Sequence, residues 1–133
     1  MERIVTQINP FSLPMPFRFV LLRHNTTANR FHWDFLFEES AACKTFSVTQ
    51  ESAEEAQITN DLECVAERLA DHRLAYLDYE GPVSGNRGFV ERLDRGTYET
   101  IDDTIHFEGR FYQGTIDLNN YELRTMNLPT TDY

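Results

Sequence analysis

The sequence predicts a mainly β fold, a small barrel or sandwich of short antiparallel strands with at most two short helices. Three observations carry this expectation. The 133-residue chain holds ten Phe, six Tyr and one Trp, side chains that favour pleated, half-buried surfaces. Its apolar residues fall in runs of strand length. Gly and Asn turns separate those runs at close spacing.

In chain order, residues 1–16 form a lead-in, because Pro10, Pro14 and Pro16 interrupt any regular element. Phe17-Arg18-Phe19-Val20-Leu21-Leu22 reads as a strand. Asn25 to Asn29 has turn chemistry, and Phe31 to Phe37 reads as a second strand. Lys44 to Thr49 alternates as a third. Residues 50–61 are acidic and polar, a loop or a short exposed helix. Leu62 to Leu69 is open: Leu62, Val65, Ala66 and Leu69 fit a helix face, and a strand fits as well. Residues 81–88 form a Gly-rich loop. Gly88–Asp94, Thr104–Glu108 and Gly114–Leu118 read as further strands, and residues 127–133 as a loose tail. No internal repeat or domain boundary interrupts residues 1–133, which are expected to form a single domain.

Composition narrows the function classes. A net charge of −10 argues against a broad surface for non-specific duplex binding, which needs many cations. Eleven of the twelve basic residues are Arg, the side chain whose planar fork matches phosphate oxygens; composition bias is the plainer account. No apolar run is long enough to span a bilayer, and Met1 to Gln7 has no signal-peptide core, so a cytoplasmic chain without a membrane partner is expected. Cys43 and Cys64 are expected to be free thiols, and no CxxC motif offers a thiolate zinc site.

Two constellations could carry chemistry. In a strand, His32 and Asp34 share a face and Trp33 points the other way. An imidazole beside a carboxylate suits Mn²⁺ or Zn²⁺, and His24 is the third candidate ligand. In one extended strand His24 would stand about 26 Å from His32, so it joins only if residues 25–29 turn the chain back. The plainer reading is a His–Asp surface pair. In the second constellation, Asp71 to Tyr76, one helical turn would put His72 and Tyr76 on one face, able to bind a phosphoryl oxygen or donate a proton. A helix terminus with a half-buried Tyr is the plainer account there. His106 reads as structural or exposed. Loop 81–88 lacks the Lys-Ser/Thr of a P-loop and the spacing of a dinucleotide fingerprint.

Taken together, three segments resemble the 3′-phosphoesterase domain family of bacterial DNA ligase D proteins. Phe19 to His24 followed by Arg30 to Phe35 is similar to that family's first metal-binding segment. Asp71-His72-Arg73-Leu74-Ala75-Tyr76-Leu77-Asp78-Tyr79-Glu80-Gly81 is similar to its second. Leu93-Asp94-Arg95-Gly96-Thr97-Tyr98-Glu99 is similar to its Trp-Asp-x-Gly-Thr-Tyr-Glu stretch, and Phe107 to Leu118 to its closing hairpin. The resemblance spans about residues 17–118. It implies a compact antiparallel β-barrel with one or two short flanking helices, and metal-dependent removal of 3′ phosphate from nucleic-acid ends. It also implies a metal, typically Mn²⁺ with Zn²⁺ as the other candidate, on His24, His32 and Asp34, with His72 and Tyr76 as catalytic residues at the phosphate. Implied partners are a nucleic-acid 3′ end or a small phosphoester, and ligase or polymerase proteins of DNA repair.

The departures bear on activity. The His24–His32 gap is two residues longer than the family usually shows, and the Gly-rich loop is shorter. Leu36 stands where the family carries an arginine, and a second arginine position falls near Cys64. Arg23, Arg30 and Arg68 are the candidate substitutes for phosphate binding. The expectation is a stand-alone phosphoesterase-like protein of reduced rate, or a binding module that has lost turnover. Leu36→Arg would then restore some charge stabilisation.

Overall fold

The run Phe19–Leu22 is continuously apolar because its strand is buried on both faces. The computed structural model describes residues 17–26, 29–59 and 61–127; the expected lead-in and residues 128–133 of the expected tail lie outside them. Strand β1 (Phe17–Asn25) pairs antiparallel with β2 (Phe31–Glu38), and β2 with β3 (Cys43–Val48). Phe19 and Leu21 enter one apolar cluster with Trp33, Phe35, Phe37, Phe46 and Phe107. Val20 and Leu22 enter a second on the opposite face with Leu36, Cys43, Leu77, Val83 and Val90.

Residues 50–59 form helix α1 (Gln50–Thr59). Thr49 caps it, its Oγ accepting the Ser52 N–H at 3.3 Å. The ambiguous stretch is two strands, β4 (Leu62–Val65) and β5 (Glu67–His72). Leu62, Cys64 and Ala66 alternate inward while Val65 is 70% exposed, which a helix face would not allow. A 3-10 turn at Leu74–Leu77 leads to β6 (Gly81–Pro82), β7 (Phe89–Ile101), β8 (Thr104–Gly109), β9 (Tyr112–Asp117) and β10 (Glu122–Asn127).

The strands form one sheet in the order β4-β10-β9-β8-β7-β1-β2-β3-β5, with β6 paired to β7. β4 and β5 stand at opposite ends of that order, yet only Ala66 separates them in the chain. The sheet therefore curls until one bent segment bridges its ends, pairing with β10 through β4 and with β3 through β5. This is the expected antiparallel barrel with short flanking helices, and its curl protects strand edges from stray pairing. Its interior is aromatic. The Phe37 ring lies 5.4 Å from Phe19, 5.0 Å from Tyr98 and 5.9 Å from Phe107, centroid to centroid. Each such ring contributes about 1.5–3 kcal/mol by leaving water.

The third family-like segment is scaffold. Asp94 is buried, and its carboxylate accepts backbone N–H bonds from Arg95, Arg110, Phe111 and Tyr112 at 2.7–3.0 Å. It thereby seals the β8–β9 turn. Gly96 is required by crowding, since a Cβ there would sit 1.9 Å from the Glu108 carbonyl oxygen. The Tyr98 hydroxyl donates to the Glu38 carbonyl at 2.6 Å, and burial pushes its pKa up to about 12. Both cysteines are free, and burial, with Glu38 adding to it, pushes the Cys43 thiol up to about 11. No helix among the described residues is long and apolar enough to cross a membrane.

Candidate metal centre

The β1–β2 hairpin turns the chain back between residues 25 and 31. The Thr26 N–H donates to the Arg30 carbonyl at 2.8 Å, and Asn29 takes a left-handed conformation (φ 61°). In the resulting register His24 lies directly across from His32, and Leu22 across from Asp34. Even-numbered side chains of β2 face the second apolar cluster, so His32, Asp34 and Leu36 share that outer face while Trp33 points into the barrel. The length of the His24–His32 gap is thus absorbed by the hairpin loop.

Asp34 is the centre of the arrangement. Its carboxylate is 1% exposed and three imidazoles surround it. His32 Nδ1 lies 2.7 Å from Oδ1, while His24 Nδ1 and His72 Nε2 lie 3.8 and 3.9 Å from Oδ2. One donor atom each from His24, His32 and Asp34 falls within 4.8 Å of the others. The outer ring nitrogens are tied down. His24 Nε2 donates to the Arg87 carbonyl at 2.8 Å, and His72 Nδ1 to the Ala70 carbonyl at 3.1 Å. Because a carbonyl only accepts, these bonds make His24 Nε2 and His72 Nδ1 donors and turn His24 Nδ1 and His72 Nε2 toward Asp34. The nitrogen–nitrogen–oxygen donor set of His24, His32 and Asp34, with His24 anchored on a backbone carbonyl, fits a divalent transition metal.

His32 keeps its proton tightly. Its pKa is raised above 6.5, first by the hydrogen bond to Asp34, against the lowering effect of burial, with the charges of Asp34 and Glu67 adding to the rise. The protonated imidazole therefore contributes stability to the metal-free protein that is complete below pH 6.5 and lost as pH rises through its elevated folded value. Metal binding has the opposite sense, since Nδ1 must give up that proton. The expected result in a calorimetric Mn²⁺ titration is an affinity that climbs with pH up to the raised His32 value, above 6.5, and then levels. A pH-independent affinity would exclude His32 as a ligand.

His72 and Tyr76 meet by a different route from the single helical turn the sequence suggested. His72 ends β5 and Tyr76 stands in the following 3-10 turn, with ring centroids 5.8 Å apart. A bulge in the β3–β5 ladder between Cys43 and Thr45 shifts the strand by one residue. It pairs His72, rather than Asp71, with Cys43, whose side chain belongs to the outer cluster. That shift carries the imidazole to Asp34.

The candidate phosphate arginines are placed otherwise. Arg23 alternates with His24, stacks its guanidinium 3.8 Å from the Phe31 ring centroid and donates to Asn25 Oδ1 at 3.0 Å. Arg68 pairs with Asp71 at 2.9 Å and donates to the Thr45 carbonyl. Neither is brought to the His–Asp cluster. Arg30 is exposed at the end of the hairpin loop. Arg92 does share the outer face, since Leu22 pairs with Asp34 on one side and with Arg92 on the other. Leu36 is fully buried among Val20, Leu22 and Leu77.

Sequence reasoning missed three neighbours. Ser47 Oγ lies 3.2 Å from His32 Nδ1; alternation along β3 opposite Asp34 could have found it. The carbonyls of Ala70 and Arg87 leave no trace in side-chain identity. Arg87 is held by the Gly-rich loop, where Gly88 has φ 87° and a Cβ would stand 1.9 Å from the Asn25 carbonyl oxygen. Gly88→Ala is therefore expected to displace the Arg87 carbonyl and weaken metal binding about 10-fold, the usual cost of losing a histidine's outer partner. Mn²⁺ calorimetry of folded variant protein checks it. A separate cleft of about 1080 Å³ near the Phe17 end of β1 is lined by Glu38, Tyr98, Glu99 and Glu108, with exposed His106. It holds none of the three candidate ligands.

No curated protein matches the chain. The profile described as the DNA Ligase D 3′-phosphoesterase domain matches residues 23–127. That match runs from the residue before His24 to the end of β10, and the chain belongs to this 3′-phosphoesterase domain family.

Proposed function

We propose that the protein is a metal-dependent phosphoesterase of the cytoplasm, acting slowly on 3′-phosphate ends of nucleic acid or a related phosphoester in DNA repair, in company with ligase or polymerase proteins. The observation that carries this reading is the convergence of His24, His32 and Asp34. A divalent metal held there, Mn²⁺ or Zn²⁺, supplies Lewis-acid polarisation of a phosphoryl oxygen and a more acidic water. The chain's own residues do the rest. Backbone carbonyls orient His24 and His72, and Asp34 supplies the negative charge that balances the centre. His72 Nε2, when protonated, donates to a phosphoryl oxygen, and Tyr76 packs against its ring and positions it.

A binding module without turnover is the second reading, favoured by one observation. Leu36 is sealed in an apolar cluster where the family's arginine would stand. The rescue expected of Leu36→Arg meets the same obstacle: a guanidinium buried there among apolar side chains costs several kcal/mol, on the order of 3–5. Its expected effect is lost stability rather than gained rate. The test is phosphate release from a 3′-phosphorylated DNA primer, with Mn²⁺ or with chelator. Slow release that needs Mn²⁺ and disappears in His72→Ala supports the phosphoesterase. Metal binding without any release supports the binding module.

A further inference from the structure

Arg92 projects from the outer face of the site with no partner of its own. In the β1–β7 ladder Leu21 pairs with Asp94 and Leu22 with Arg92, so the bulge leaves Leu93 as the extra residue. Leu93 packs against the inner cluster, while Leu22 and Val90 belong to the outer one. Arg92 is opposite Leu22 and two residues from Val90, which places it on the outer face. Leu22 also pairs with Asp34, so Arg92 and Asp34 flank one leucine, about 10 Å apart at two strand spacings. An extended arginine side chain and one phosphoryl group together span that gap. Arg92 is half-buried, and among the described residues its guanidinium has no hydrogen bond or ion pair. The Glu80 carboxylate accepts the Arg92 backbone N–H at 2.8 Å instead. Arg23, Arg68 and Arg87, by contrast, are tied to Asn25, Asp71 and Ser84.

Charge supplies the reason for a cation here. A divalent ion beside the Asp34 carboxylate leaves one positive charge, and a phosphate monoester brings about two negative ones. Leu36, buried in its apolar cluster, offers no donor. We propose that Arg92 is the phosphate-binding arginine of this centre, its guanidinium fork holding the oxygens of a phosphate monoester while His24, His32 and Asp34 hold the metal. The inference rests on the phosphoesterase reading of the site and adds the substrate-binding cation which that reading lacks. The arginine then comes from β7, two strands from Asp34, rather than from β2 itself, and the cluster around Leu36 stays closed. A guanidinium that is half-buried and unpaired in the free protein gives up no internal partner when it meets phosphate.

The experiment uses the full chain loaded with Mn²⁺. Inorganic phosphate is the calorimetric probe, and release from a 3′-phosphorylated primer gives the rate. Arg92→Ala is expected to weaken phosphate binding about 10–100-fold, the worth of charge-assisted hydrogen bonds, and to lower kcat/KM by a similar factor, with Mn²⁺ affinity unchanged. Arg92→Lys keeps the charge without the fork and should fall between wild type and Arg92→Ala. Arg124→Ala removes one exposed cation from β10 and should match wild type in every readout. Thermal unfolding confirms that each variant folds. Wild-type phosphate affinity and kcat/KM in both Arg92 variants would overturn the proposal and leave the metal centre and its turnover standing. Loss of Mn²⁺ binding in both Arg92 variants would also overturn it, by showing that Arg92 shapes the metal centre rather than holding phosphate. Mn²⁺-loaded wild type that neither binds phosphate nor releases it would overturn the phosphoesterase reading and the role of Arg92 with it.

Discussion

Asp34→Asn is expected to lose Mn²⁺ binding by at least about 100-fold while keeping the fold. Loss of a partner outside the coordination shell costs roughly 10–100-fold in metal affinity, and loss of a ligand costs no less. The substitution is nearly isosteric, so the 1%-exposed position stays filled. What it removes is the charge on which three imidazoles converge. In the wild type, Mn²⁺ at about 100 times its dissociation constant adds about 2.7 kcal/mol to stability and raises Tm. At the same Mn²⁺ concentration the variant should gain no more than about 0.4 kcal/mol and show almost no shift in Tm. Equal metal-induced shifts in both proteins would mean that the ion binds elsewhere.

The second large effect lies in the scaffold. Asp94→Ala removes the carboxylate that four backbone N–H groups share, those of Arg95, Arg110, Phe111 and Tyr112, of which Arg110 keeps the Arg95 carbonyl at 3.2 Å. Each buried donor left unsatisfied costs about 1–3 kcal/mol; partial relaxation and water entry keep the sum near 3–5 kcal/mol. For a domain of this size that is a large fraction of total stability. Asp94→Asn keeps one acceptor oxygen and should lose less. Urea unfolding of the three proteins gives the order wild type, Asn, Ala. A loss below about 1 kcal/mol in Asp94→Ala would show that the turn closes without the carboxylate.

Much of the fold was legible because burial leaves a pattern. The doubly buried β1 wrote itself as the run Phe19–Leu22, and β2 as alternating aromatics. The bent β4–β5 segment was less legible, since Leu62, Val65, Ala66 and Leu69 also satisfy a helical repeat. Strand β10 escaped notice: Leu123 and Thr125 are buried, between exposed Glu122, Arg124 and Met126. The first half of the site followed from period-two alternation plus a turn. His72 did not, because a one-residue bulge decides which face it takes and no local residue type announces that bulge. Alternation already separated Arg23 from His24, and it put Leu36 on the face of Asp34. It is the packing of the 3-10 turn that brings Leu77 into the same buried apolar cluster as Leu36.

Anomalous scattering locates the proposed metal centre directly. In crystals of the full chain grown with Mn²⁺, a single strong peak is expected between His24 Nδ1, His32 Nδ1 and the Asp34 carboxylate. A well-ordered structure with those three side chains in place and no peak among them, or with the peak at another site, would contradict it.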